Sequence, residues 1–419
     1  MTFSEGADKL RAVNRAFGTW LRAAHPAAKM LFLAGPRQVG KTTLARAALA
    51  AESAPGVYLN WDVPADRRRM LSAADLLEDV RRPGARPLVV FDELHKMRRF
   101  KGWLKGFYDA NRDHCRLWIT GSGRLDLYQR GGDSLVGRYF LYHMHPLSVG
   151  ELAHADRPLG NPERAWRAFA EDEPPPRSLA DSLQRLLRFG GFPEPYLRQN
   201  ATFHRRWVLA RRQRVTHEDI RDLTRIEDLD RLEMLVELLN PRIGAPLSIN
   251  SLREDVGVAF ETVRGWLGAL QRVYYVFAVA PYSERIQRSL LRESKYYYWD
   301  WSEAAEPGAR FENLVMSHLK KACDAWTDFG HGRFQLWYLR DREKREVDAL
   351  ITKDRTPWCL VEAKRSDADP SPHLLRFGAQ LGCTRLVQVV ESAGVRKRTR
   401  IGKSLVHVAS AGALLAHLP

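Results

Sequence analysis

Leu10, Val13, Phe17 and Leu21 recur at helical spacing, and His25-Pro26 ends that helix before the uninterrupted apolar run Met30-Leu31-Phe32-Leu33-Ala34. Short apolar runs return at 57–59, 87–91 and 117–120, separated by stretches compatible with helices. Buried strands alternating with helices predict a parallel α/β sheet. The segment 171–177, EDEPPPR, cannot continue a helix and predicts a proline-stiffened linker. From about 178 to 272 the spacing is helical and arginine-rich. Strand patterns return after 273 and end with the runs 386–390 and 405–408. The chain shows neither an internal repeat nor a low-complexity tract.

A length of 419 residues adds a prediction of about three domains. Hydrophobic residues at 45 % beside charged residues at 28 % exclude a disordered, collagen-like or coiled-coil chain. No window approaches the roughly 18 apolar residues a membrane span needs, and MTFSEGADKLRAVNR lacks the plan of a signal peptide. The expectation is a soluble, cytoplasmic protein with no membrane partner. Cys115, Cys323, Cys359 and Cys383 are scattered, which supports neither a disulfide framework nor structural zinc. The net charge of +16, with 52 of the 66 basic residues arginine, favours a polyanionic partner such as nucleic acid, against the alternative of a generally arginine-rich composition.

Directly after the first apolar run, Gly35-Pro36-Arg37-Gln38-Val39-Gly40-Lys41-Thr42 matches the P-loop pattern G-x-x-x-x-G-K-S/T, and Thr43 continues into a helix-prone segment. Glycines let the backbone curl its N–H groups toward phosphates, Lys41 neutralises the β/γ oxygens, and the Thr42 hydroxyl ligates Mg²⁺. ATP and Mg²⁺ are therefore the expected cofactors. The run ending in Asp92-Glu93 delivers two carboxylates to a strand's C-terminal edge, where α/β sheets place ligands. Asp92 is expected to hold Mg²⁺, and Glu93 to orient and deprotonate the attacking water. Asp92-Glu93-Leu94-His95 also spells the D-E-x-H of some helicases, but no other helicase motif accompanies it. Thr120 or Ser122 is placed to sense the γ-phosphate. Arg138 is the first candidate for an arginine finger and Arg124 the second, with an ordinary surface arginine as the alternative for each.

Taken in order, GPRQVGKTTL, VVFDELHK, WLKGFYD, ITGSGRLDLY, GDSLVGRY and HPLSVGEL resemble the bacterial and archaeal AAA+ ATPases that carry a C-terminal domain of unknown function. GGFPEPYL, the HEDIRDL segment and a final FEN…EVDALI…VEAK block extend the resemblance over most of the chain. It implies that Lys41, Thr42, Asp92 and Glu93 are the ATPase residues and puts Ser122 near the sensor, where many such proteins have asparagine. Gly191-Phe192-Pro193 is similar to a turn that contacts adenine in related signalling ATPases, or is a plain helix-breaking turn.

The stretch 247–252 precedes Asp255-Val256-Gly257-Val258 and then 262–270, two short amphipathic patterns with a glycine-containing turn, and an alternating run from Tyr274 to Val279 follows, which predicts a winged helix-turn-helix. Glu261 and Arg264 then face DNA, unless the module serves as a lid or a protein-docking surface. Arg205, Arg206, Arg211, Arg212 and Arg214, with Trp207, make a basic stretch that can follow phosphates or be a solvated helix face. Farther on, Glu312, Asp348 and Glu362-Ala363-Lys364 resemble the D…E-x-K core of restriction-endonuclease-like nucleases, with Gln380 similar to a polar helix residue that often follows it. In that chemistry Glu312, Asp348 and Glu362 bind Mg²⁺ while Lys364 helps to activate water. The same fold is often kept only for binding.

The expected architecture is α/β: a P-loop AAA+ parallel-sheet core over 1–170, a helical lid over 178–240, a winged helix over 241–285 and a restriction-endonuclease-like domain over 290–419. The expected function is Mg²⁺-dependent ATP hydrolysis coupled to handling DNA, branched DNA included, by a homo-oligomer with a hexamer favoured. The alternative is a regulatory or defence ATPase that acts on a protein partner and carries an inert nuclease-like domain.

Overall fold

The computed structural model describes residues 15–72, 76, 84–121, 135–154, 158–171, 177–220, 228–283, 293–366, 369–402 and 404–419. They fall into two compact units, one of residues 15–145 with 158, the other of 146–154 with 159–419. Residues 146–154, which the sequence puts in the ATPase block, pack with the second unit.

The first unit opens with α1 (Ala16–Ala24) and is built on five parallel strands. These are β1 (Met30–Ala34), β2 (Val57–Asn60), β3 (Leu88–Asp92), β4 (Arg116–Thr120) and β5 (Tyr139–His143), in the spatial order β2-β3-β4-β1-β5. β1 and β3 are buried throughout because helices cover both faces, hence their unbroken apolar sequences. Among those helices are α2 (Lys41–Ala50), α3 (Pro64–Leu71) and α4 (Phe100–Asn111). From α4, Trp103 and Phe107 meet the edge of Phe91, both with centroids 5.4 Å away. β4 lies between β1 and β3, with Leu33 level with Thr120 and Thr120 level with Asp92. The C-terminal ends of the three strands therefore form one ledge.

The second unit begins with α5 (Val149–Ala153), whose Gly150 lies against the chain's last turn: an added Cβ would fall 2.0 Å from the Leu418 carbonyl oxygen. Helices α6 (Pro162–Glu171), α7 (Arg177–Phe189), α8 (Pro193–Arg198), α9 (Ala201–Arg214), α10 (Leu229–Leu239), α11 (Ile249–Val256) and α12 (Phe260–Arg272) follow. Residues 172–176 of the expected linker lie outside the described residues. α9 runs into a π-turn at Val215–Asp219. α11 ends on Gly257 in the left-handed region, φ +71°, before α12 starts.

The remaining strands are β6 (Val276–Pro281), β7 (Lys295–Tyr298), β8 (Phe334–Arg340), β9 (Glu346–Lys353), β10 (Thr356–Lys364), β11 (Leu386–Val390), β12 (Arg396–Ile401) and β13 (Ser404–Ser410). They form one mixed sheet in the order β12-β13-β11-β10-β9-β8-β6-β7. β6 pairs antiparallel with β7 and continues parallel to β8 at Ala280–Pro281, so this strand pair belongs to the large sheet. The long helix α13 (Pro307–Asp328) buries Leu314, Val315, Leu319, Ala322 and Trp326. α14 (Pro372–Leu381) buries Leu374 and Phe377 in a cluster with Leu350, Leu360 and Leu386, and α15 (Ala411–Leu415) is buried throughout. Asp354 and Arg355, both at positive φ, close the β9–β10 hairpin in two residues.

Candidate functional site

The loop between β1 and α2 is bent by residues that tolerate it. Gly35, at φ +145°, would bring a Cβ to 2.2 Å from the Met144 carbonyl oxygen, so no other residue fits. Gly40, at φ +104°, turns the chain into α2, whose first N–H groups have no partner within the helix. Lys41 folds back over this loop and donates to the carbonyls of Gly35 (2.8 Å) and Pro36 (2.6 Å). Sequence reading missed the brace behind it. Arg15 is buried and donates to the carbonyls of Val39 (3.1 Å) and His145 (2.7 Å), tying the loop to the end of β5. An isolated arginine before a helix carries no sequence signal for that role.

Asp92 ends β3 and is 2 % exposed. Its Oδ2 accepts from the Thr42 hydroxyl at 2.7 Å and the Tyr58 hydroxyl at 2.5 Å, and its Oδ1 from the Thr120 hydroxyl. Thr120 therefore orients Asp92, and Tyr58, also unforeseen, locks the other oxygen. Burial and the adjacent Asp92 push the Tyr58 phenol upward, so it stays a donor. Thr42 and Asp92 thus meet at one point with two hard oxygen donors, which fits Mg²⁺.

Glu93 leaves the strand at φ +56°, an uncommon backbone for a residue with a side chain. Its N–H donates to the Thr120 carbonyl at 3.0 Å. Its Oε2 lies 3.6 Å from both His95 Nε2 and Lys96 Nζ, beyond hydrogen-bond distance, and has no hydrogen-bond partner among the described residues. Burial raises the Glu93 carboxyl above the ordinary range, opposed by the charges of Lys41 and Lys96. A half-buried carboxylate whose covered Oε2 has no hydrogen-bond partner among the described residues, and whose proton affinity is raised, is suited to accept a proton from water.

Other expected residues are not at this ledge. Ser122 and Arg124 lie outside the described residues. Arg138 precedes β5 at the sheet's opposite end, where its carbonyl accepts from Met30 N at 2.9 Å and its guanidinium holds Asp109 by two bonds, of 2.8 and 3.0 Å. In the second unit, the Gly191-Phe192-Pro193 turn is fixed by packing. A Cβ on Gly191 would meet Trp301 at 2.5 Å, and Phe192 is buried against Trp207.

The basic stretch on α9 divides. Arg205 and Arg206 are exposed, but Arg211 is 6 % exposed and cannot follow phosphates as the sequence suggested. Its Nη1 pairs with Glu303 at 2.6 Å, its Nη2 donates to the Tyr274 carbonyl at 3.1 Å, and its guanidinium lies 4.7 Å from the Phe192 ring centroid. Arg212 pairs with Glu237. Glu303 is buried and also accepts from the Tyr275 hydroxyl at 2.7 Å, so removing Arg211 takes away its hydrogen-bonded cation and leaves Arg212 at 4.0 Å. Arg211→Ala is expected to cost about 3–5 kcal/mol in urea unfolding, and Arg205→Ala less than about 0.5 kcal/mol.

The C-terminal carboxylates come together, with a cation among them that the sequence did not announce. Lys295, on β7, is 1 % exposed, and its ammonium lies 2.6 Å from Glu346 Oε1, 3.3 Å from Glu312 Oε1 and 3.5 Å from Asp348 Oδ1. Asp348 Oδ2 accepts from Ala363 N at 2.9 Å, and Lys364 pairs with Glu362 at 2.8 Å. Burial, with the Asp348 charge second, raises the carboxyls of Glu312 and Glu362 to about 7 each. Among the described residues, no three His, Cys, Asp or Glu side chains are arranged to hold a metal ion. Of the expected Glu312–Asp348–Glu362 set, Glu312 and Asp348 face the Lys295 ammonium and Glu362 faces Lys364. Gln380 is exposed on α14, whereas Gln388 is buried level with Glu362. On α12, Glu261 and Arg264 are exposed and pair at 2.5 Å.

Residues 27–153 match a family described as an AAA domain, 180–305 a domain of unknown function (DUF8612) and 307–408 another (DUF4143). Uncharacterized proteins of Mycobacterium tuberculosis and Mycobacterium bovis are each 24 % identical over 353 residues, covering 83 % of this chain and 72 % of theirs. A structure titled for katanin self-assembly is 15 % identical and aligns with 46 % of this chain and 64 % of its own, less than two thirds of its length. Its TM-score of 0.26 is too low to bear on fold or assembly. Among the described residues no helix is long and apolar enough to cross a membrane. With the P-loop, the Thr42–Asp92 pair and the ledge of β1, β4 and β3 inside the first match, the chain is of the AAA ATPase type, with C-terminal domains of unknown function.

Proposed function

We propose that this protein hydrolyses ATP at the β1–β4–β3 ledge and couples turnover to DNA, branched DNA included, as a cytoplasmic homo-oligomer, with a hexamer favoured. The observation that carries the chemistry is the convergence of Thr42, Tyr58 and Thr120 on Asp92 beside a Glu93 oxygen with no hydrogen-bond partner among the described residues. The loop of residues 35–40 and the start of α2 hold the phosphates, and Lys41 exchanges a carbonyl for a β/γ oxygen. Thr42 and Asp92 would hold Mg²⁺, which when bound neutralises charge on the β- and γ-phosphates. Glu93 orients a water in line with the γ-phosphorus and takes its proton as the new P–O bond forms and the bond to the β-phosphate oxygen breaks, giving ADP and phosphate.

For the DNA partner, α11, α12 and the β6/β7 strand pair are read as a winged helix, with Glu261 and Arg264 at its exposed face, and Arg205 and Arg206 as phosphate contacts. ATP hydrolysis is expected to rise on adding forked, duplex or single-stranded DNA. Affinity for duplex should fall with salt at a slope of about −0.9 per phosphate contacted, and Arg205→Gln with Arg206→Gln should flatten it. Absence of binding to all three probes at low salt would remove DNA from the proposal. A second reading, a regulatory ATPase acting on a protein partner, is favoured by one observation: Arg211 and Arg212, in the densest basic run, are paired with Glu303 and Glu237 within the protein. Under that reading DNA leaves turnover unchanged.

A further inference from the structure

The carboxylates at the start of β9 and the end of the antiparallel β10 have a built-in counter-ion. Glu312 reaches them from α13, Glu346 and Asp348 from β9, and Glu362 from β10. The Lys295 ammonium has three protons to donate and three carboxylate oxygens within 2.6–3.5 Å. The surrounding groups fix those oxygens. Tyr297 donates to Glu312 Oε1 at 2.7 Å, Arg340 to Glu346 Oε2 at 2.9 Å, and the Ala363 amide to Asp348 Oδ2 at 2.9 Å. Gly244, at φ +80°, brings backbone so near that an added Cβ would lie 3.3 Å from Glu312 Oε1. Two of the three acids that touch Lys295 are residues expected to ligate a metal, and the third expected ligand, Glu362, is paired with Lys364.

We infer that Lys295 is the resident cation of this domain: its ammonium occupies the place a nuclease of this shape would give to a divalent ion, and the native cluster binds no such ion. The physical reason is charge and fit. A buried ammonium is tolerable only when paired, and here three carboxylates surround it from two elements of the fold. A divalent ion drawing on Glu312 and Asp348 would have to share one small space with that like charge, which Glu346 Oε1 anchors at 2.6 Å. Loss of the metal's role also removes the group that would polarise a phosphodiester, so the domain serves by binding or by holding its neighbours and does not cut. This inference is independent of ATP hydrolysis, which uses the other unit.

The test is Mn²⁺ binding to the full-length, nucleotide-free protein after chelator treatment, followed by the free-Mn²⁺ paramagnetic resonance signal and by the melting temperature. The wild type and Asp348→Asn are expected to bind the same number of Mn²⁺ ions and show the same shift in melting temperature, any weak P-loop binding being common to both. Lys295→Met exposes the acids to one another, so it should melt lower without metal, then gain one Mn²⁺ per chain and recover melting temperature on adding Mn²⁺ or Ca²⁺. That gain should vanish in Lys295→Met combined with Asp348→Asn. If Lys295→Met does not fold, the wild type against Asp348→Asn still decides. An ion bound by the wild type and lost in Asp348→Asn overturns the inference. So does a folded Lys295→Met that acquires none, or metal-dependent DNA cleavage by the wild type that disappears in Asp348→Asn.

Discussion

Replacing Glu93 with glutamine is expected to lower ATP turnover by about 10²–10⁴-fold while leaving ATP bound, whereas Lys41→Ala loses the nucleotide itself. The separation follows from what each side chain does. Lys41 already curls over the loop, held by the Gly35 and Pro36 carbonyls, so its loss removes positive charge from the place where phosphates collect. Glu93 stands apart from that cradle, and Oε2, without a hydrogen-bond partner among the described residues, is the atom available for a water proton. Glutamine keeps the shape and removes the basicity. Because burial raises its proton affinity, the Glu93 carboxylate is the form depleted as pH falls, and turnover should fall from the acid side at a pH above that of an ordinary glutamate. Fluorescent-nucleotide titration reports binding and phosphate release reports turnover. Unchanged turnover in Glu93→Gln would remove Glu93 as the base, and Asp92→Asn, which alters the hub for Thr42 and Tyr58, would then become the informative variant.

The sequence made the nucleotide site legible because its determinants are local. Gly35 to Thr42 form one turn, and Asp92-Glu93 one strand end. Even there, the sequence offers Thr120 or Ser122 as a γ-phosphate sensor, and in the fold the Thr120 hydroxyl bonds Asp92. Tyr58 and Arg15 were not singled out, because each acts on partners 24 to 130 residues away. Among the strands, β5 went unrecognised: it is an edge strand, partly exposed, without a continuous apolar run. The charged RKRTRI of β12 likewise becomes a strand only by pairing with β13 at the rim of the large sheet. The same non-locality hid the two buried charge centres. Arg211 looks like one more surface arginine until the fold brings Glu303, 92 residues on, to 2.6 Å. Lys295 precedes three tyrosines and a tryptophan, a context that discloses burial but not the acids at positions 312, 346 and 348 that make burial tolerable.

Arg138→Ala is expected to lower turnover by about 10³–10⁵-fold with little change in ATP affinity, provided copies of the chain assemble so that one supplies Arg138 to the next. The geometry requires the action to be in trans. Arg138 sits at the start of β5, and the P-loop follows the opposite end of the neighbouring parallel β1. About five residues of strand, roughly 16 Å, therefore separate it from its own phosphates. In the single chain its guanidinium is held by Asp109 through two exposed hydrogen bonds. A pair so exposed is weak enough to be exchanged for a more demanding anion, the γ-phosphoryl oxygens of a neighbour's ATP. Asp109→Asn should then leave turnover near the wild-type level, while Arg138→Lys, which keeps charge but not the planar fork, should recover only part of it. Mixing Arg138→Ala with Lys41→Ala subunits should restore activity at those interfaces where an intact P-loop meets an intact Arg138. Hydrolysis at the full rate by a strictly monomeric protein, or mixtures no more active than their components, would exclude the arrangement.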